Sequence, residues 1–209
     1  MLISNNKNSI KNSILQNVEC MDLEKFITNQ HSITRHSKTT DAITLLTADH
    51  DYLTRLFLDY KNAATGIEKQ RLASEICTEL LVHTQIEEEV FYPVVKTVLD
   101  QGATLPEPII EHAGLKALIA DIETIYLPGN CFDDKIEFLA AYMKHHIKED
   151  HEQIFPKLRL SDVDLQGLGQ EIALRKLALI RDRHATISAK NTNQSAGNTH
   201  QKDISIANV

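Results

Sequence analysis

The sequence predicts an all-α protein, an up-down-up-down four-helix bundle with a fifth, C-terminal helix and flexible termini. Three observations lead there. Five segments between about residues 41 and 184 repeat apolar side chains at helical spacing. The breaks between the first four are short and carry Gly or Pro, which makes neighbouring helices antiparallel. Aromatics make up only 5% of the 209 residues, tryptophan is absent and seven glycines punctuate the chain, which favours helices over a β-sandwich.

The first segment, 41–64, puts Ile43, Leu46, His50, Leu53, Phe57 and Tyr60 on one stripe. The second, 67–99, does the same with Ile76, Leu80, His83, Glu87, Val90 and Val94, and Pro93 is expected to kink it or end its regular part. The third, 107–127, aligns Ile109, His112, Leu115, Ile119, Ile122 and Tyr126. In the fourth, 133–157, the stripe is Ile136, Leu139, Met143, His146 and Asp150. The fifth, 162–184, carries Leu165, Leu168, Ile172 and Leu179, with Ser161 as its expected N-cap, and is expected to pack across the bundle. The breaks are Gly66, "DQGATLPEP" (100–108) and "LPGN" (127–130).

This divides the chain into a flexible extension 1–40 with a short helix at 19–30, a bundle 41–160, a packing helix 161–185 and a disordered tail 186–209. Both ends are polar and poor in aromatics, which leaves little apolar surface to offset ordering entropy. The formal net charge of −7 argues against nucleic acid as a partner. No stretch approaches the roughly 18–20 apolar residues of a membrane helix, and the first twenty residues lack a signal peptide's continuous apolar region. Cys20, Cys77 and Cys131 are odd in number and widely spaced, with no CxxC, so a cytoplasmic location is expected.

Within this frame one pattern occurs twice. His50 is followed by His83, Glu87 and Pro93, and His112 by His146, Asp150 and Pro156. The shift between halves is 62 residues for the first histidine and 63 for the other three positions. The local text agrees, "HTQIEEEVFYP" (83–93) against "HIKEDHEQIFP" (146–156), both reading H-x3-(E or D)-x-E-x3-P.

Hairpin arithmetic brings these residues together. In an antiparallel pair, residues equidistant from the turn share a depth. The midpoint of 50 and 83 falls at the Gly66 turn, and that of 112 and 146 at Gly129. Each histidine is then about 16–17 residues from its turn, roughly 24 Å along the helix. Glu87 and Asp150 follow His83 and His146 by one turn on the same face. All six lie on the apolar stripes, where an unsatisfied polar group costs about 1–3 kcal/mol and a charged one more. Bound cations would resolve that conflict. Imidazole with carboxylate suits iron, manganese or zinc.

These residues resemble the hemerythrin-like, HHE cation-binding family. Its H…HxxxE…H…HxxxE pattern matches His50, His83-x3-Glu87, His112 and His146-x3-Asp150, over about residues 41–160. The resemblance implies two non-haem iron ions in a four-helix bundle, with zinc or manganese as alternatives. His50 and His83 would serve one ion and His112 and His146 the other, with Glu87 and Asp150 bridging. It also implies a small diatomic or peroxide ligand, and roles in oxidative or nitrosative stress or iron handling. An iron or oxygen sensor contacting a protein partner through its termini, and a structural metal site, are the alternatives. Two departures stand out. Oxygen carriers of the family place a fifth histidine where this chain has Lys116, which implies one more open metal. The last carboxylate is Asp150, with Glu149 beside His145 as its rival.

The remaining candidates read more plainly. His31, His36, His145, His151, His184 and His200 are expected at the surface, and Glu88 and Glu89 on a solvated acidic face. Asp49 and Glu111 read either as acceptors for ligand N–H groups or as exposed acids. Lys116 reads as a surface residue reaching over the edge of the stripe, or as one steering anions or protons at the open metal. Tyr52, Tyr60 and Tyr142 read as packing residues, and the cysteines as core fillers.

Overall fold

A computed structural model describes residues 40–99, 106–125 and 130–199, with side chains over 40–98, 111–125 and 131–183. The expected extension 1–40, apart from Thr40, and the end of the tail, 200–209, lie outside these residues, as do 100–105 and 126–129, which hold most of the breaks expected at 100–108 and 127–130. All regular structure among the described residues is helical.

Helix α1 (Ala42–Asn62) starts at Asp41, whose carboxylate accepts from the Thr44 backbone N–H at 2.9 Å. Helix α2 (Gly66–Ile86) starts at Thr65, which accepts from the Glu68 N–H at 3.2 Å. The break between them therefore falls at 63–65, and Gly66 is the first residue of α2 rather than the turn itself. After α2 comes a π-helical turn, Glu87–Phe91, then α3 (Tyr92–Leu99). Helices α4 (Pro106–Ile122) and α5 (Asn130–Glu149) follow, then a second π-helical turn, Asp150–Ile154, and the short α6 (Phe155–Arg159).

The two π turns are the structural form of the repeated motif. Each begins on the motif's carboxylate and ends two residues before its proline. The Tyr92 N–H reaches Glu87 C=O, and the Phe155 N–H reaches Asp150 C=O, across one more residue than in an α-helix. Pro93 and Pro156 lack the N–H that a regular ladder would need there. The extra residue corrects the expected stripe of the second segment. Past Glu87 the buried positions are Phe91, Tyr92 and Val95, while Val90 and Val94 are only half-buried.

Helix α1 packs against α2 and α5, α2 also meets α4, and α4 packs against α5. One apolar layer joins Leu53, Leu80, Ile119, Leu139 and Met143 on the side of the α1–α2 turn. On the other side Leu46, Ile86, Phe91, Phe155, Leu158 and Ile172 are buried. The polar residues of the motif lie in register between these two groups. At the turn end a polar clasp ties three helices: Tyr60 donates to Asp133 at 2.6 Å and Lys69 reaches both carboxylate oxygens at 3.0 Å.

Helix α7 runs Leu165–Thr199, past the expected end at 185. Its first N–H partner is Asp164, which accepts from the Gly167 N–H at 2.9 Å. Ser161, the expected cap, instead donates to Leu158 C=O at 2.8 Å. Gly169 lets α7 touch the start of α1, because a Cβ there would stand 2.5 Å from Thr40 O. The described residues divide into two units, one within Ile27–Lys176 and one that begins at Leu177. Everything described above, apart from the part of α7 beyond Lys176, belongs to the first. Of the second, the described part is the helical stretch 177–199. Among the described residues no helix is long and apolar enough to cross a membrane.

Candidate metal centre

His50 on α1, His83 on α2, His112 on α4 and His146 on α5 meet at one depth, with Glu87 and Asp150 on the π turns. All six are at most 4% exposed. His50 Nε2 lies 3.2 Å from His83 Nε2, which lies 3.4 Å from His146 Nε2. Glu87 divides its oxygens: Oε1 faces His83 Nε2 at 3.4 Å, and Oε2 faces His112 and His146 Nε2 at 3.4 and 3.3 Å. Asp150 Oδ2 lies 3.6 Å from His50 Nε2 and 3.5 Å from His146 Nε2. The shorter aspartate therefore does enter the cluster. Its rival, Glu149, turns outward to His145 at 3.5 Å.

The donor chemistry fits metal ions. His112 Nε2, Glu87 Oε1 and both Asp150 oxygens are buried with no hydrogen bond. The Nε2 atoms of His50, His83 and His146 converge at 3.2 and 3.4 Å, a concentration of nitrogen donors that suits a cation. Single ligand atoms of His50, His83, Glu87 and His146 all fall within 4.8 Å of one another, so a cation could take four of the six at once.

Electrostatics point the same way. Burial, and then the unfavourable approach of a second imidazolium at His83, lowers His50 to about 2, and burial lowers His83 to about 4, so both rings are neutral with lone pairs to give. Burial opposes ionisation of Glu87, but His83 and His146 outweigh it and hold this carboxyl well below its ordinary range. Burial and the Glu87 charge push Asp150 well above its own. Burial also disfavours protonated His146, yet Glu87 and then Asp150 raise it to about 9. The Glu87 charge thus disfavours a second ionised carboxylate at Asp150, and a bound cation would offset that.

Outer partners set the tautomers. Glu88, expected on a solvated face, lies 3.2 Å from His112 Nδ1, so that Nδ1–H donates and Nε2 points inward. Lys116 does not aim at the centre. Its ammonium is bound to Glu88 at 2.5 Å. His151, expected to be merely solvated, is exposed yet lies 3.2 Å from His50 Nδ1, and its ring packs on Phe155. Tyr92, which the sequence reading left out, is buried, packs on the His112 ring and points its hydroxyl at Glu87 Oε2 at 3.4 Å. The π turn explains both omissions on this stretch, because Glu88 and Tyr92 face inward only once the helix gains its extra residue.

Other expectations resolve individually. Asp49 meets Lys176 of α7 at 2.5 Å. Glu111 lies beside His145 at 3.5 Å. Tyr52 donates to Glu75 and Tyr60 to Asp133, both away from the cluster. Cys77 is buried as expected, but Cys131 is exposed, and both are free thiols. The side chains of Cys20, His31, His36, His184 and His200 lie outside the described residues.

A model of the hemerythrin HHE cation-binding domain family matches residues 41–158, the span that carries all six residues. A curated protein from Nostoc sp., named a DNA nickase, is 27% identical over 111 residues, 53% of this chain. The match spans 31% of that relative, so the chain corresponds to about a third of its length. No solved structure matches the chain.

Proposed function

We propose, for a chain that belongs to the hemerythrin HHE cation-binding domain family, that the centre holds two non-haem iron ions and binds or reacts with a small diatomic or peroxide ligand, in stress response or iron handling. The helices are read as an up-down-up-down four-helix bundle whose mid-layer is this centre. His50 and His83 are assigned to one ion and His112 and His146 to the other. Glu87 and Asp150 would hold the ions from the carboxylate side, Glu87 with one oxygen toward His83 and the other toward His112 and His146. The observation that carries this reading is the Glu87 carboxylate, whose oxygens are split between His83 and the His112–His146 pair. When bound, a pair of redox-active irons supplies electrons and an open coordination position. The protein supplies the rest. The apolar layers exclude water, Glu88 and His151 orient two imidazoles, and the Tyr92 hydroxyl holds a proton next to Glu87.

Protein from iron-replete cells should contain close to two irons per chain, and azide added to the oxidised form should shift its optical spectrum. One iron per chain in fully folded protein would overturn the two-ion reading. A colourless protein with stoichiometric zinc would favour the structural-site reading. The free thiols Cys77 and Cys131 fit a cytoplasmic protein.

The same reading revises the role of residue 116. With its ammonium on Glu88, Lys116 steadies the carboxylate that orients His112. Glu88→Ala is expected to lower iron affinity about 10–100-fold, the usual effect of losing such an orienting partner. Lys116→Met should have a smaller effect in the same direction, and Lys116→His should behave like it rather than add a ligand. Competition with a chelator measures all three. Wild-type affinity in Glu88→Ala would remove Glu88 from the centre.

A further inference from the structure

Helices α4 and α5 carry a second cluster on their outer side. Glu111, His145 and Glu149 each place one ligand atom within 4.8 Å of the other two. Each immediately precedes a member of the buried centre: Glu111 before His112, His145 before His146 and Glu149 before Asp150. One residue turns a side chain by about 100° around a helix. The trio therefore repeats part of the inner donor set, rotated to the rim.

The imidazole stands between the two carboxylates, within ion-pair range of both. His145 Nε2 stands 3.5 Å from Glu111 Oε1 and 3.5 Å from Glu149 Oε1. Both distances exceed a normal N–H···O contact of about 2.7–3.2 Å. They match the roughly 3.3–3.5 Å between two ligands of one tetrahedral ion with bonds of about 2.0–2.2 Å. The two carboxylates are well shielded, their side chains 14% and 21% exposed, while the imidazole is 58% exposed. The imidazole distinguishes the trio from a solvated acidic face, and a divalent ion would compete with a proton for its place between the carboxylates. Mixed nitrogen and oxygen donors select a zinc- or iron(II)-like ion over magnesium or calcium.

We infer that Glu111, His145 and Glu149 form a second, weaker site for one divalent transition-metal ion at the rim of the buried centre. Three donors and an open side leave room for water ligands and for exchange. An ion there is one residue from three of the inner donors, the position of a staging site for loading. The binding part of this inference does not depend on what the buried centre holds.

The test starts from iron-loaded protein freed of loose metal and titrated with zinc by calorimetry. One further equivalent is expected, weakened at least tenfold in His145→Ala and in Glu149→Gln and unchanged in Glu152→Gln, an exposed acid on the following turn. No further equivalent, or the same binding in His145→Ala, overturns the site. If the buried centre takes no metal, the His145-dependent equivalent should still appear in the unloaded chain, which separates the two failures. Loading of metal-free protein with iron(II) should be several-fold slower in His145→Ala with the same final iron content. Equal rates overturn the staging role.

Discussion

His83→Ala is expected to lose most of the bound iron, and His146→Ala likewise, while His145→Ala keeps nearly all the iron that survives a chelator wash. His83 Nε2 lies within 3.4 Å of Glu87 Oε1, His50 Nε2 and His146 Nε2, so its removal takes a donor from the middle of the cluster. His146 faces both carboxylates, at 3.3 and 3.5 Å. His145 faces outward, and the rim ion it serves would not survive the chelator. The loss has a second component. Leaving a buried group without a hydrogen-bond partner typically costs about 1–3 kcal/mol, and Glu87 is 0% exposed. His83→Ala should therefore also leave a less stable metal-free protein. His151→Ala should fall between, because it frees His50 to rotate without removing a ligand. Metal analysis after the wash decides the matter. Equal losses from His145→Ala and His146→Ala would mean that α5 presents its other face.

Lys176→Met is expected to lower the thermal midpoint by about 10 °C without removing any proposed ligand. Lys176 is 8% exposed on α7, with Asp49 Oδ1 at 2.5 Å and Glu79 Oε2 at 4.0 Å. Losing the ammonium leaves Asp49 as a buried carboxylate without its cation, at about 3–5 kcal/mol. For a domain of this size each kcal/mol is worth roughly 2–4 °C. Lys176→Met with Asp49→Asn should recover part of the loss, because the stranded charge is then gone. The pH dependence has a definite sign. Burial works against the ammonium, but Asp49 and Glu79 outweigh it and hold Lys176 above its ordinary value. A raised lysine stabilises fully below its unfolded value, about 10.4, and the contribution is lost as pH rises through the folded value. Stability from this pair should be flat through neutral pH and fall only in strong alkali. A midpoint within 2 °C of wild type would mean that Lys176 reaches solvent instead.

The pair also has a functional reading. Asp49 precedes His50 on α1, so an α7 residue is tied next to the proposed metal layer. If metal loading alters that contact, the hold on α7 changes with it. Lys176→Met should then change the stability difference between loaded and unloaded protein, where a purely structural pair would shift both equally.

Helical class, the stripes as far as the motif carboxylates and the burial of the six residues were legible in the sequence because each rests on local periodicity. A 3.6-residue repeat decides which face is apolar, and equal distance from a turn decides depth. Those rules put His50 level with His83 and His112 level with His146 without any knowledge of packing. The same rules separate His146 from His145 and Asp150 from Glu149, since only the first of each pair continues the line through Leu139 and Met143.

What the sequence alone could not decide lies beyond an α-helical period or beyond one helix. The proline of the repeated motif announces a break, but only the folded chain shows it as a π turn. One extra residue moves the buried face from Val90 and Val94 to Phe91 and Val95, and brings Glu88 and Tyr92 to His112. Lys116 was placed one turn from His112 by its spacing, yet its ammonium follows the charge of Glu88 on another helix. His151 reaches His50 across 101 residues, and Lys176 reaches Asp49 across 127. Contacts of this kind depend on how helices rotate and pack against one another. Interhelical charge and close packing set that rotation together, and a single segment's periodicity carries no record of it.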